Sequence, residues 1–78
     1  MKNRYYEYIG KAIKEARDAL DMTQQEVADK IGVKRSLYSQ YERGTTISMK
    51  TWIALAEVLQ LDPVKTAMEA LAYERSTE

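Results

Sequence analysis

The sequence has 78 residues, with 12 Lys and Arg against 12 Asp and Glu, a formal net charge of zero, and neither Cys nor His. This length suits one small domain. Without Cys or His the chain lacks disulfides, thiolate zinc ligands and the commonest general base, so we expect no enzymatic activity, metal site or cofactor. No apolar run is long enough to span a bilayer and the N-terminus has no signal-peptide core, so we expect a cytoplasmic protein.

The first predicted element is a helix from Tyr5 to about Leu20. Residues 1–4 are expected to be loose. Apolar residues recur at helical spacing and form one stripe, with charged residues opposite. The stripe consists of Tyr5, Ile9, Ala12, Ile13, Ala16 and Leu20. Asp21 and Met22 connect this helix to the next one.

A second helix is predicted at about Gln24–Ile31. Thr23 and Glu26 have the S/T-x-x-E spacing of a capping box, which satisfies free N–H groups at a helix start. Gly32 is expected to end the helix, because Gly enters the left-handed conformation without a Cβ clash.

A third short helix, about Arg35–Arg43, follows the turn at Gly32. Tyr38 and Tyr41 fall on its apolar side, and Gly44 is expected to stop it. Two short helices that meet at a tight Gly turn have the layout of a helix-turn-helix.

Two further helices are predicted after a loop at residues 45–47. Ser48 is a plausible N-cap for a helix at about Met49–Leu59, and the wide apolar coverage of this helix predicts that it is deeply buried, with Trp52 as the central core residue. Asp62 followed by Pro63 is a start signal for a fifth helix, expected at about Pro63–Tyr73 with loose residues 74–78 after it. No strand pattern is present, so the prediction is a single all-α domain of five helices over residues 1–78.

The segment Ile9–Gly44 resembles the helix-turn-helix family of phage repressors and Cro proteins, the lambda-repressor-like or XRE family. The resemblance is carried by Thr23-Gln24-Gln25-Glu26, Ala28, Gly32 and Glu42-Arg43-Gly44, and it continues through Leu61. It implies a compact five-helix DNA-binding domain with helices 2 and 3 as the helix-turn-helix. Two positions depart from the family pattern: Lys34 replaces the usual Ser or Thr N-cap, and Tyr38 replaces an aliphatic residue, which suggests a locally repacked core.

The resemblance implies that helix 3 lies in the DNA major groove. The side opposite Tyr38 and Tyr41 carries the positions that match the family's base-reading residues: Arg35, Ser36, Ser39 and Gln40. Arg35 can donate two hydrogen bonds to guanine, and Gln40 can pair with adenine. Leu37 could contact a thymine methyl group or the flanking backbone, or pack against the end of helix 1.

Five residues are candidates for phosphate contacts: Gln24, Lys34, Arg43, Thr45 and Lys50. In the family, the position of Gln24 commonly binds a phosphate and braces a neighbouring recognition side chain. Residues 33–50 hold four cations against one carboxylate, a net charge of +3, although the whole chain is neutral. The carboxylate, Glu42, is expected to turn away from DNA and form a structural ion pair, with Arg17 as the suggested partner.

The predicted function is that of a sequence-specific transcriptional regulator, with double-stranded DNA as its partner. We expect a repressor that covers promoter DNA as a homodimer on a pseudo-palindromic operator, without a small-molecule effector. Met68, Leu71 and Ala72 on helix 5 are the candidate dimer contacts. The alternative is an antitoxin or protein-interaction adaptor of the same fold.

Overall fold

The computed structural model describes residues 4–76, which form five helices and no strand. They are α1 (Arg4–Ala19), α2 (Gln24–Ile31), α3 (Arg35–Glu42), α4 (Met49–Val58) and α5 (Pro63–Ser76). The predicted all-α, five-helix architecture is therefore confirmed. In this part of the chain, no helix is both long and apolar enough to cross a membrane.

The helix ends differ from the prediction by a few residues. Arg4 is already helical, and α5 continues past Tyr73 to Ser76, so residues 74–76 are helical rather than loose. A hydrogen bond from the backbone N–H of Tyr5 to Glu74 Oε2, at 3.3 Å, ties the end of α5 to the start of α1. The other residues expected to be loose, 1–3 and 77–78, lie outside the described residues.

Three helices begin with a side-chain cap, as predicted. Thr23 and Glu26 form the complete capping box of α2, with each side chain accepting from the backbone of the other. Ser48 Oγ accepts from the backbone of Thr51, and Asp62 Oδ1 accepts from two backbone N–H groups of α5. α3 begins without such a cap, because its N-cap residue Lys34 makes no side-chain hydrogen bond to the helix.

The turn between α2 and α3 is made by Gly32, which lies in the left-handed region at φ 74° and ψ 32°. The N–H of Val33 donates to the carbonyl of Ala28 at 3.0 Å and closes the end of α2. Ala28 is fully buried, and so is Val27 beside it. Both side chains belong to the hydrophobic core, so the end of α2 that carries the turn is anchored inside the domain.

One hydrophobic core joins the five helices. Its fully buried centre includes Ile9, Ile13, Val27, Tyr38 and Leu55, and Trp52 is 5% exposed with its indole N–H donated to the carbonyl of Pro63. The predicted deep burial of all of α4 was wrong. Met49 and Ile53 are 73% and 45% exposed, because they lie on the side of α4 that faces away from the core.

Gly10 places α3 against α1. A Cβ atom at this position would lie 2.7 Å from the carbonyl oxygens of both Tyr41 and Glu42, which is closer than side-chain carbons approach backbone oxygens. The missing side chain therefore allows the C-terminal end of α3 to pack directly on the backbone of α1.

Candidate nucleic-acid interface

The outer face of α3, which we define as Arg35, Ser36, Ser39, Gln40 and the adjoining Arg43, is polar and accessible. At 3.6 residues per turn these positions occupy an arc of roughly 140°, and Tyr38 and Tyr41 point in the opposite direction. Both tyrosines are buried, as predicted, whereas Ser39 is half-buried and the other four residues are exposed. Four of the five are the residues predicted to read bases, and one helical face presents them together.

The predicted phosphate-binding cations lie at the ends of α3 and just beyond it. Lys34 precedes the first turn, Arg43 caps the last turn, and Lys50 is in the first turn of α4. These three side chains are exposed, as is Thr45, whose N–H donates to the carbonyl of Gln40. Within residues 4–76, neither these cations nor Arg35 form an ion pair, so their charge is available to a ligand.

Glu42 is the carboxylate of this region, and it points inward. Arg17 Nε donates to its Oε2 at 2.6 Å, and Arg17 Nη2 donates to its Oε1 at 3.2 Å. The two side chains are 12% and 5% exposed. The expected ion pair with Arg17 is thus confirmed, and it removes the negative charge of Glu42 from the outer face of α3.

The surroundings of Glu42 and Arg17 keep both members of the ion pair charged. Burial by itself would raise the pKa of Glu42, but the hydrogen bonds and the positive charge that it meets, above all those of Arg17, outweigh burial and hold the pKa below its ordinary value. The hydrogen bond to Glu42 likewise raises the pKa of Arg17. Burial raises the pKa of Tyr38, whose hydroxyl lies beside this pair without a hydrogen bond of standard geometry. Glu42 and Arg17 are therefore both charged at neutral pH.

Gln24 links the ion pair to the outer face of α3. Its Nε2 donates to Glu42 Oε1 at 2.9 Å, and its Oε1 accepts from Arg35 Nη1 at 3.1 Å. Gln24 therefore holds Arg35, the side chain to which the family resemblance assigns base reading. The predicted phosphate contact would have to use the second hydrogen of Nε2, because the rest of the amide is engaged within the protein.

Two features of the site were missed from the sequence. The first is the close approach at Gly10, for which a glycine in the middle of a helical pattern was an available signal. The second is the hydrogen bond between Gln24 and Glu42, which are 18 residues apart and meet only in the folded chain.

Leu37 is 40% exposed, at the edge between the outer face and the buried tyrosines.

Comparison with known protein families decides the assignment. A family model described as helix-turn-helix matches residues 13–65, which is more than half of the chain. The chain belongs to the helix-turn-helix family. The match is of the Cro/C1 type and confirms the resemblance read from the motifs. It includes α2, α3 and α4 and the residues of the candidate interface.

Two solved structures show the same fold. Both are crystal structures of the clp gene regulator ClgR from Corynebacterium glutamicum. The first has a TM-score of 0.78 at 22% identity and covers 91% of this chain and 94% of that chain. The second has a TM-score of 0.82 at 20% identity and covers 99% of this chain and 83% of that chain. No protein of curated function matches the chain significantly in sequence.

Membership in the helix-turn-helix family supports a DNA-binding regulator of transcription. Proteins of this family are typically DNA-binding proteins rather than enzymes. The exposed, cationic outer face of α3 agrees with that role.

Proposed function

We propose that this helix-turn-helix protein is a sequence-specific repressor that acts in the cytoplasm by occupying operator DNA with α3 in the major groove. The observation that carries the proposal is the outer face of α3, where polar side chains suited to base edges lie between the exposed cations Lys34 and Arg43.

The chemistry of this face suits direct readout of bases. Arg35 is placed near the N-terminal end of α3, where recognition helices contact base edges, and its guanidinium can donate to both O6 and N7 of guanine. Gln40 lies about 1.4 turns further along and can pair with N6 and N7 of adenine. Ser36 and Ser39 are short and allow the helix backbone to approach the groove floor.

The cations at the two ends of α3 support the proposal, because they could bind DNA phosphates beyond both ends of the recognition helix. Lys34 and Arg43 lie at opposite ends of α3, separated by about 13 Å of helix. Lys50 and Thr45 extend the polar surface beyond Arg43. Phosphate contacts of this kind set the orientation of the helix without reading sequence. Because the whole chain is neutral, we expect weak non-specific binding and a strong dependence of affinity on base contacts.

A homodimer is part of the proposal, and the outer side of α5 supports it. Val64, Met68 and Leu71 repeat at intervals of four and three residues, are 66%, 65% and 41% exposed, and lie beside the exposed Ala72. An apolar stripe on the solvent side of a helix leaves area that a partner surface can cover. Pairing of this stripe with that of a second copy would bury it and present two copies of α3 to a pseudo-palindromic operator.

The proposed function is tested by in vitro selection of binding sites from a random duplex DNA library. We expect the unmodified chain to enrich a two-fold symmetric sequence, and an Arg35→Ala/Gln40→Ala variant with the same thermal stability to enrich none. An asymmetric half-site would retain the recognition helix and remove the dimer. Failure to enrich any sequence at low salt would contradict the proposal and favour the antitoxin or adaptor alternative.

A further inference from the structure

A series of hydrogen bonds between four side chains runs from helix α1 to the outer face of α3. Arg17 donates two hydrogen bonds to Glu42, Glu42 accepts one from Gln24, and Gln24 accepts one from Arg35. The distances along this path are 2.6–3.2 Å, within the range of ordinary hydrogen bonds. A partly buried ion pair on the inner side is thereby joined to an exposed base-reading candidate.

The chemistry of the end groups allows only one orientation of the Gln24 amide. A guanidinium only donates hydrogen bonds, and an ionised carboxylate only accepts them. The amide must therefore turn its nitrogen to Glu42 and its oxygen to Arg35. If the amide were flipped, its oxygen would face the Glu42 carboxylate and its nitrogen would face the Arg35 guanidinium, and both hydrogen bonds would be lost.

The orientation of the Gln24 amide is fixed mainly by Glu42 and its ion pair with Arg17. Glu42 is 5% exposed and is held by two hydrogen bonds from Arg17, which also donates to the carbonyl of Met22 at 2.9 Å. Charge-assisted, bidentate contacts of this type are the most directional in proteins. Arg35 and Gln24 are more exposed and would otherwise exchange their hydrogen bonds with water.

We propose that Glu42, held by Arg17, is a positioning residue that orients the Gln24 amide and thereby fixes the guanidinium of Arg35 for one base pair. The inference rests on the proposed DNA-reading function. It adds that discrimination at this base pair depends on an ion pair that does not face the outer surface of α3. An Arg35 side chain that is ordered before binding loses less rotamer freedom on the correct base pair.

The test compares affinities for the selected operator and for duplexes with each single base-pair substitution, and Arg35→Ala identifies the base pair concerned. Glu42→Gln keeps the size of the side chain but removes the charge that orients Gln24. We expect discrimination at the Arg35 base pair to fall about 3- to 10-fold, as for one partly exposed hydrogen bond, with the other positions unchanged. Gln24→Ala breaks the same path without touching the ion pair, so it carries the test if Glu42→Gln does not fold.

The matched control is Asp18→Asn. Asp18 Oδ1 also contacts Arg17, at 3.4 Å from Nη1, but it lies on the exposed side and does not reach Gln24. This variant should retain full discrimination at every position. Equal loss of affinity for all sequences in folded Glu42→Gln and Gln24→Ala would overturn the positioning role and leave the DNA-reading function intact. If the unmodified chain showed no sequence preference, the proposed function would fail, and this inference with it.

Discussion

At the scale of single residues, Gly10 decides how closely α3 approaches α1. The change Gly10→Ala would normally favour a helix by up to about 1 kcal/mol. Here the added Cβ would lie 2.7 Å from two backbone oxygens, which cannot move aside as a side-chain tip could. We expect a net loss of about 1–3 kcal/mol in the free energy of unfolding, measured by urea denaturation. The exposed neighbour provides the control, since Lys11→Ala should change stability by less than about 0.5 kcal/mol. Stability equal to or above that of the unmodified chain would show that the helices separate easily.

The ion pair of Arg17 and Glu42 predicts a particular dependence of stability on pH. The pKa of Glu42 is lowered in the folded state, so its contribution to stability is fully present at pH values well above the ordinary carboxyl pKa and is lost as the pH falls through the folded-state pKa. Removal of its partner in Arg17→Met should cost about 3 kcal/mol at neutral pH, because a buried carboxylate is left unpaired. Burial would then raise the pKa of Glu42, and acidification from neutral pH should stabilise this variant relative to the unmodified chain. Parallel pH profiles of unfolding free energy for the two proteins would contradict this assignment.

Sequence patterns predicted part of this site and could not predict the rest. A single carboxylate within a cationic segment indicated that Glu42 pairs with a cation inside the protein. The suggested partner, Arg17, is the one that the structure shows. The orientation of Gln24 could not be predicted, because it depends on two contacts made across the folded chain rather than on local spacing. The sequence pattern can therefore identify candidate contact residues, whereas the orientation of their side chains is set by tertiary packing.

At the scale of helices, α3 lacks a side-chain N-cap because position 34 is Lys. Lys34→Ser should supply the missing hydrogen bond and raise the free energy of unfolding by about 0.5–1 kcal/mol. The same change should weaken DNA binding and reduce the salt dependence by about one phosphate contact, a slope change of about 0.9. Both effects can be measured on one preparation by denaturation and by binding at several salt concentrations. An unchanged salt slope would remove Lys34 from the phosphate-binding residues.

The helices could be predicted from the sequence because the residues that cap their N-termini act locally. Thr23, Ser48 and Asp62 each cap a helix where the sequence indicated one. The extent of burial was harder to predict. The apolar composition of α4 suggested complete burial, yet Met49 and Ile53 are exposed, since composition does not report which neighbouring elements cover a helix.

At the scale of the whole molecule, the outer side of α5 is the proposed contact between two copies. Met68→Glu should abolish the dimer, because a pair of carboxylates would face each other across the two-fold axis in an apolar contact. Met68 is 65% exposed in the monomer, so the fold should be unaffected. Sedimentation in free solution and on a two-half-site duplex would measure both states. Lys11→Glu on α1 is the control and should leave the stoichiometry unchanged. If Met68→Glu still bound DNA as two cooperating copies, the dimer contact would have to lie elsewhere.

In the proposed complex, the outer face of α3 lies against the bases of DNA. The chain contains no Cys, so a single introduced thiol can carry one iron–EDTA cleavage reagent. Attached at Ser36→Cys, the reagent should cut the selected operator within a few base pairs of the centre of each half-site. Attached at Glu15→Cys, on the exposed side of α1 opposite Ile13, it should cut little or not at all. Cutting from position 15 but not from position 36 would contradict the account, because a different face of the protein would then be on the DNA.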